Sequence, residues 1–105
     1  MIWFPEGYVW PRKRSAWVAL LNPLPAPQDV TVTLMADGEA ARTRSLTLAA
    51  RSRTSQDVGA WFALPGTGDR AFGLEVDCLR CAASLVMWDA RFELPAVSAP
   101  IVGCR

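Results

Sequence analysis

Cys78 and Cys81 stand two residues apart in "VDCLRCAA", and with Cys104 they are the three thiols of a 105-residue chain that contains no histidine. That spacing admits a metal knuckle, a redox pair or a disulfide. A structural zinc site takes four soft ligands, and three cysteines without an imidazole leave the set one short. A thioredoxin-type pair needs its first cysteine at a helix N-terminus, whereas "FGLEVDC" alternates as a strand does. No metal and no cofactor is therefore expected. What remains is a pair either reduced and packed or joined at a hairpin tip; a bond is open to it because residues flanking a two-residue tip lie about 5.5 Å apart between Cα atoms, inside the bonding range. The ring it would close is small, so the gain expected is about 1 to 2 kcal/mol at most.

The missing histidine also removes Ser-His-Asp and Cys-His arrangements, and the one lysine, Lys13, lies in the basic stretch "PRKR". A carboxylate pair such as Glu6 with Asp89 is the catalytic option left, since glycoside hydrolysis needs two acids at a set separation. Acids at strand ends are more often solvated or paired with arginine. "PGTGDR" has neither the lysine nor the following helix of a phosphate-binding loop. The expectation is a protein that binds and does not catalyse.

Binding is where the composition points. Five tryptophans are too many for one small core. Trp17 and Trp88 fall in stretches apolar on both faces and are expected inside. Trp3, Trp10 and Trp61 stand beside proline or glycine, in expected loops, and are the ligand or interface candidates. Trp3, Tyr8 and Trp10 with Glu6 could form a sugar-stacking platform whose acid accepts hydroxyl hydrogen bonds. The same surplus of indole predicts self-association near the N-terminus: a homo-oligomer, a tetramer among the options, with a protein or a glycan as any further partner.

Arg42 and Arg44 share one strand face and Arg51 and Arg53 the next, so four guanidinium groups could cluster into an anion patch. No aromatic is interleaved to stack on bases, and their simplest reading is a solvated outer face. Nucleic acid is not an expected partner: ten acids against eleven bases leave a net charge of +1 and no field to attract it.

The elements that must position these residues follow from periodicity. "DVTVTLMADG" alternates Val30, Val32 and Leu34 with Thr31 and Thr33, then turns at Asp37-Gly38. "ARTRSLTLAARSRTSQDV" reads as two strands around Ala49-Ala50, with Leu46, Leu48 and Val58 inward. "SAWVALLNP" and "AASLVMWDARF" have the character of central strands, and "AFGLEVDC" puts Phe72, Leu74 and Val76 on one side. "DVGAWFALPG" has room for one helical turn, and "APIVGC" for a last short strand. The pattern predicts an all-β fold, an antiparallel β-sandwich of about seven short strands forming a single domain over residues 1–105. With 51% apolar residues it can bury a core. No apolar stretch is long enough to span a membrane, and "MIWFPEGYVWPRKR" lacks the layout of a signal peptide. A cytoplasmic location is expected, or an extracellular one if a leader has been removed.

"EGY" at 6–8, "LLNP" at 20–23, "DVTVTL" at 29–34, "LAARSRTSQDV" at 48–58, "FGLEVD" at 72–77 and "WDARF" at 88–92 follow one another in an order that resembles the sensory rhodopsin transducer family. Related modules repeated in bacterial surface proteins share this order. The resemblance implies a β-sandwich of carbohydrate-binding-module type, often oligomeric, that works by binding. The chain departs from that pattern at Asp77-Cys78-Leu79-Arg80-Cys81, where relatives have an Asp-x-Pro turn, and in a shorter loop between Tyr8 and Leu20.

Overall fold

Val30, Val32 and Leu34 are buried while Thr31 and Thr33 stand on the opposite face, and the same period of two organises most of the chain. The computed structural model describes residues 1–9, 14–36, 38–64, 70–89, 94–98 and 101–102. Among these, the strands are β1 (Ile2–Val9), β2 (Arg14–Leu21), β3 (Gln28–Ala36), β4 (Arg42–Leu48), β5 (Arg53–Asp57), β6 (Arg70–Asp77), β7 (Ala82–Asp89), β8 (Leu94–Ser98) and β9 (Ile101–Val102). One helical turn, α1 (Val58–Trp61), follows β5 and is capped by the Asp57 carboxylate, which accepts from the amides of Gly59 and Ala60. The strands form two antiparallel sheets, β4-β3-β6-β1-β9 and β5-β2-β7-β8. The fold is the expected all-β sandwich. Phe4, Val18, Leu20, Val30, Val32, Leu34, Leu74, Val76 and Leu85 fill the space between the sheets, with Val58 and Phe62 closing one edge.

β1 departs from the expectation of an N-terminal loop. Trp3 lies on this strand, which pairs with β6 despite Pro5 because Pro5 and Glu6 together stand opposite Gly73, a bulge that absorbs the missing donor. Just past it, Gly7 faces inward against Phe72: a Cβ there would meet the phenyl ring at 2.6 Å. At the far end of β3, Gly38 takes φ 73° in the turn closed by the Glu39 amide on the Ala36 carbonyl at 3.2 Å.

Two connections carry the chain between sheets, one of them expected as a hairpin. β4 pairs with β3 and β5 with β2, so residues 49–52 cross from one sheet to the other. Likewise β6 and β7 belong to different sheets, and Cys78–Cys81 spans a crossing, not a hairpin tip. The two sulfurs are bonded, with Cα atoms 6.0 Å apart.

These crossings meet the 22–27 connection at one buried hub. The Asn22 side-chain amide donates to the carbonyls of Ala26 (2.9 Å), Leu48 (3.2 Å) and Ala49 (3.0 Å), and its oxygen accepts from the Leu24 amide and from Gln28 Nε2. Gln28 also donates to the Arg80 carbonyl and accepts from the Arg80 amide. Asn22 is fully buried, and both polar atoms of its side chain are paired.

Candidate functional site

β2 is central in its sheet, flanked by β5 and β7, yet only one of its faces is covered. Ala16, Val18 and Leu20 enter the core, while Trp17 and Leu21 lie on the outside, each 42% exposed. Trp17 was expected in the core because its stretch is apolar on both faces, as strands covered on both sides are. The alternation that buries Val18 turns Trp17 outward. Trp88 lies on β7, with its side chain outside the described residues.

Three rows of residues define this outer face. Asp57, Trp17, Val86 and Val97 align across β5, β2, β7 and β8; Ser55, Ala19 and Ser84 form the next row; Arg53, Leu21 and Ala82 the third. Beside Leu21 lies an open depression of about 220 Å³, lined by residues of β2, β5 and β7 that include Ala19, Leu21, Arg53, Ala82 and Ser84. The centre of the face is apolar, and its charges, Arg53 and Asp57, sit on the β5 edge.

The opposite outer face is polar. Asp29–Thr47, Thr31–Ser45 and Thr33–Thr43 form hydrogen-bonded rungs between β3 and β4, at 2.7, 3.3 and 3.2 Å. Trp3 is half-buried on this face and pairs across the strands with Glu75, which in turn pairs with Thr33. Glu6 and Tyr8 share β1 with Trp3, Glu6 in the bulge and Tyr8 opposite Ala71. Trp10 lies outside the described residues. Trp61 is not near this set: it sits in α1, its ring 5.3 Å from that of Phe62 at 58°.

The four arginines do not form one patch. Alternation places Arg42 and Arg44 on the same side of β4 as Leu46 and Leu48, the side that faces the sandwich, where Arg42 is half-buried and Arg44 remains exposed at the edge. There Arg42 Nη1 donates to the Phe62 carbonyl at 2.9 Å and Arg44 Nε to the Trp61 carbonyl at 3.1 Å, satisfying the end of α1. Arg44 also lies over the Phe62 ring at 5.7 Å. Arg51 occupies the crossing turn with φ 50°, and Arg53 lies on the other sheet. Inward charges of this kind protect an edge strand from further pairing.

No family model matches the chain, and no curated protein matches its sequence. The fold is shared with a solved structure. The crystal structure of Thermotoga maritima 1070 superposes with a TM-score of 0.73, covering 93% of this chain and 90% of that one, at 10% sequence identity. At that identity the likeness is one of architecture. Within this architecture no helix of the described residues is long and apolar enough to cross a membrane.

Proposed function

We propose that the protein is a non-enzymatic binding and assembly module that works by protein–protein contact, with the outer face of β5-β2-β7 as its contact surface. The observation that carries this reading is the exposure of Trp17 and Leu21 together on one apolar sheet face. Contiguous apolar patches on a folded surface mark interaction sites, and aromatic residues are enriched at their centres. The resemblance to the sensory rhodopsin transducer family, whose members bind and assemble, supports the same reading. Light scattering and the fluorescence of an apolar-surface dye such as anilinonaphthalene sulfonate test it together. A mass above the monomer, or dye binding lost in Trp17→Ser, is expected. A monomer that binds no dye would remove the basis for the reading.

A second reading is glycan binding at the other face. It is favoured by the row in which Trp3, Glu75, Thr33 and Thr43 succeed one another across the five-stranded sheet, an indole beside an acid and hydroxyls. Quenching of tryptophan fluorescence by oligosaccharides, abolished in Trp3→Ala, is its signature; unchanged emission across a glycan panel would discard it.

A further inference from the structure

We infer that the partner of the β5-β2-β7 face is a second copy of the same chain, docked face to face about a two-fold axis that passes over Ala19. This rests on the protein-contact reading above and adds the occupant and its geometry. The argument comes from the arrangement of residues on the face. Trp17 and Leu21 lie two positions either side of Ala19 on β2, and Asp57 and Arg53 lie two either side of Ser55, which pairs with Ala19. At about 3.3 Å per residue, each pair is roughly 13 Å apart along its strand.

A two-fold axis lying in the interface along the Ser55–Ala19–Ser84 row reverses the strand direction and leaves the lateral order unchanged. The row of Asp57, Trp17 and Val86 then meets the row of Arg53, Leu21 and Ala82 from the partner, twice per dimer. Each indole is brought against the partner's Leu21 and the depression that Leu21 helps to line, and each Asp57 carboxylate, which also caps α1, towards the partner's Arg53. The small side chains of Ala19, Ser55 and Ser84 fall on the axis, where each row meets its own copy and bulk would keep the sheets apart. A two-fold along the strands would instead place Trp17 on Trp17 and pair no opposite charges. Apolar against apolar and positive against negative thus select one self-complementary arrangement, as a closed isologous interface requires. Arg53 is exposed, and no side-chain hydrogen bond or ion pair to another described residue holds it back from such a pairing.

Sedimentation velocity across a micromolar concentration series tests the arrangement with three variants. Trp17→Ser should weaken association roughly a hundredfold or more, as removal of a central aromatic anchor does. Arg53→Glu, which sets glutamate against the partner's Asp57, should weaken it on the order of tenfold. Adding Asp57→Asn to Arg53→Glu should restore most of that loss, because asparagine removes the repulsion and still caps α1. Circular dichroism checks folding, and the charge variants keep the test decisive if Trp17→Ser folds poorly. An oligomer indifferent to Trp17→Ser, or an Arg53→Glu defect that Asp57→Asn leaves in place, overturns the two-fold while the contact reading stands. A wild-type monomer whose face still binds dye likewise overturns the second copy as occupant, and assigns the face to a different protein.

Discussion

The side-chain amide of Asn22 reaches three carbonyls in two connections, and its oxygen holds Gln28, which grips both backbone groups of Arg80 in a third. Hydrogen bonds made in so buried a place contribute modestly when complete, and cost much when one partner is removed. Truncation of Asn22 to alanine would leave the Ala26, Leu48 and Ala49 carbonyls without this donor, and Gln28 Nε2 with the Arg80 carbonyl alone. We expect Asn22→Ala to lower stability by about 2 to 4 kcal/mol, read as a shift of the urea midpoint. A loss under about 1 kcal/mol would mean that water replaces the amide and that the hub is less closed than its burial indicates. The disulfide beside it adds a covalent tie to the same crossing, but a ring this small constrains the unfolded chain only slightly.

At the scale of elements, the bulge in β1 sets how the N-terminal strand enters the sandwich. Two residues opposite one shift the register after Phe4, so Phe4 and Gly7 both face the core although three positions separate them. Phe72 fills the space a side chain at position 7 would occupy, with the Leu85 methyl at 3.1 Å behind it. Gly7→Ala should therefore cost about 1 to 3 kcal/mol by overpacking. In a Phe72→Leu background the same change should cost less than about 1 kcal/mol, since the ring is what it strikes. Additive costs in this double-mutant cycle would show that backbone entropy, not the ring, holds glycine at this position. β4 is governed similarly by what its inner face meets: beyond Leu46 the hydrophobic core gives way to α1, and arginine there finds carbonyls.

For the whole molecule, the two outer faces differ in kind. One carries a ladder of hydroxyls and acids, the other an apolar strip with charges at its margin. A net charge of +1 gives no long-range steering, so association depends on contact at the apolar strip. Indole burial should then dominate over the two Arg53–Asp57 pairs, each worth about 0 to 1 kcal/mol at an exposed rim. At about 1 M sodium chloride, where the screening length is about 3 Å, the affinity should fall by less than about tenfold. Complete dissociation to monomer under those conditions, followed by light scattering, would show that charge carries the interface.

The all-β class and the inward positions of β3 and β6 were legible because alternation is local: Val30, Val32, Leu34, Phe72, Leu74 and Val76 declare their side of the strand within a few residues. The room for a single helical turn in "DVGAWFALPG" was legible too, whereas its cap on Asp57 is seen only in the structure. The side of a strand that meets another layer is not local. Arg42 and Arg44 share the inward side with Leu46 and Leu48, and only α1 packed across that edge gives them partners. The apolar stretch around Trp17 is the same whether one face is covered or two, and only the placement of β2 leaves its indole outside. The short connection at Leu79-Arg80, read as a hairpin tip, and that at 49–52 suit either course, so sheet membership was decided by pairing with strands far along the chain. Residue type and period therefore determined the strands and their faces, while long-range pairing decided which faces became core and which became surface.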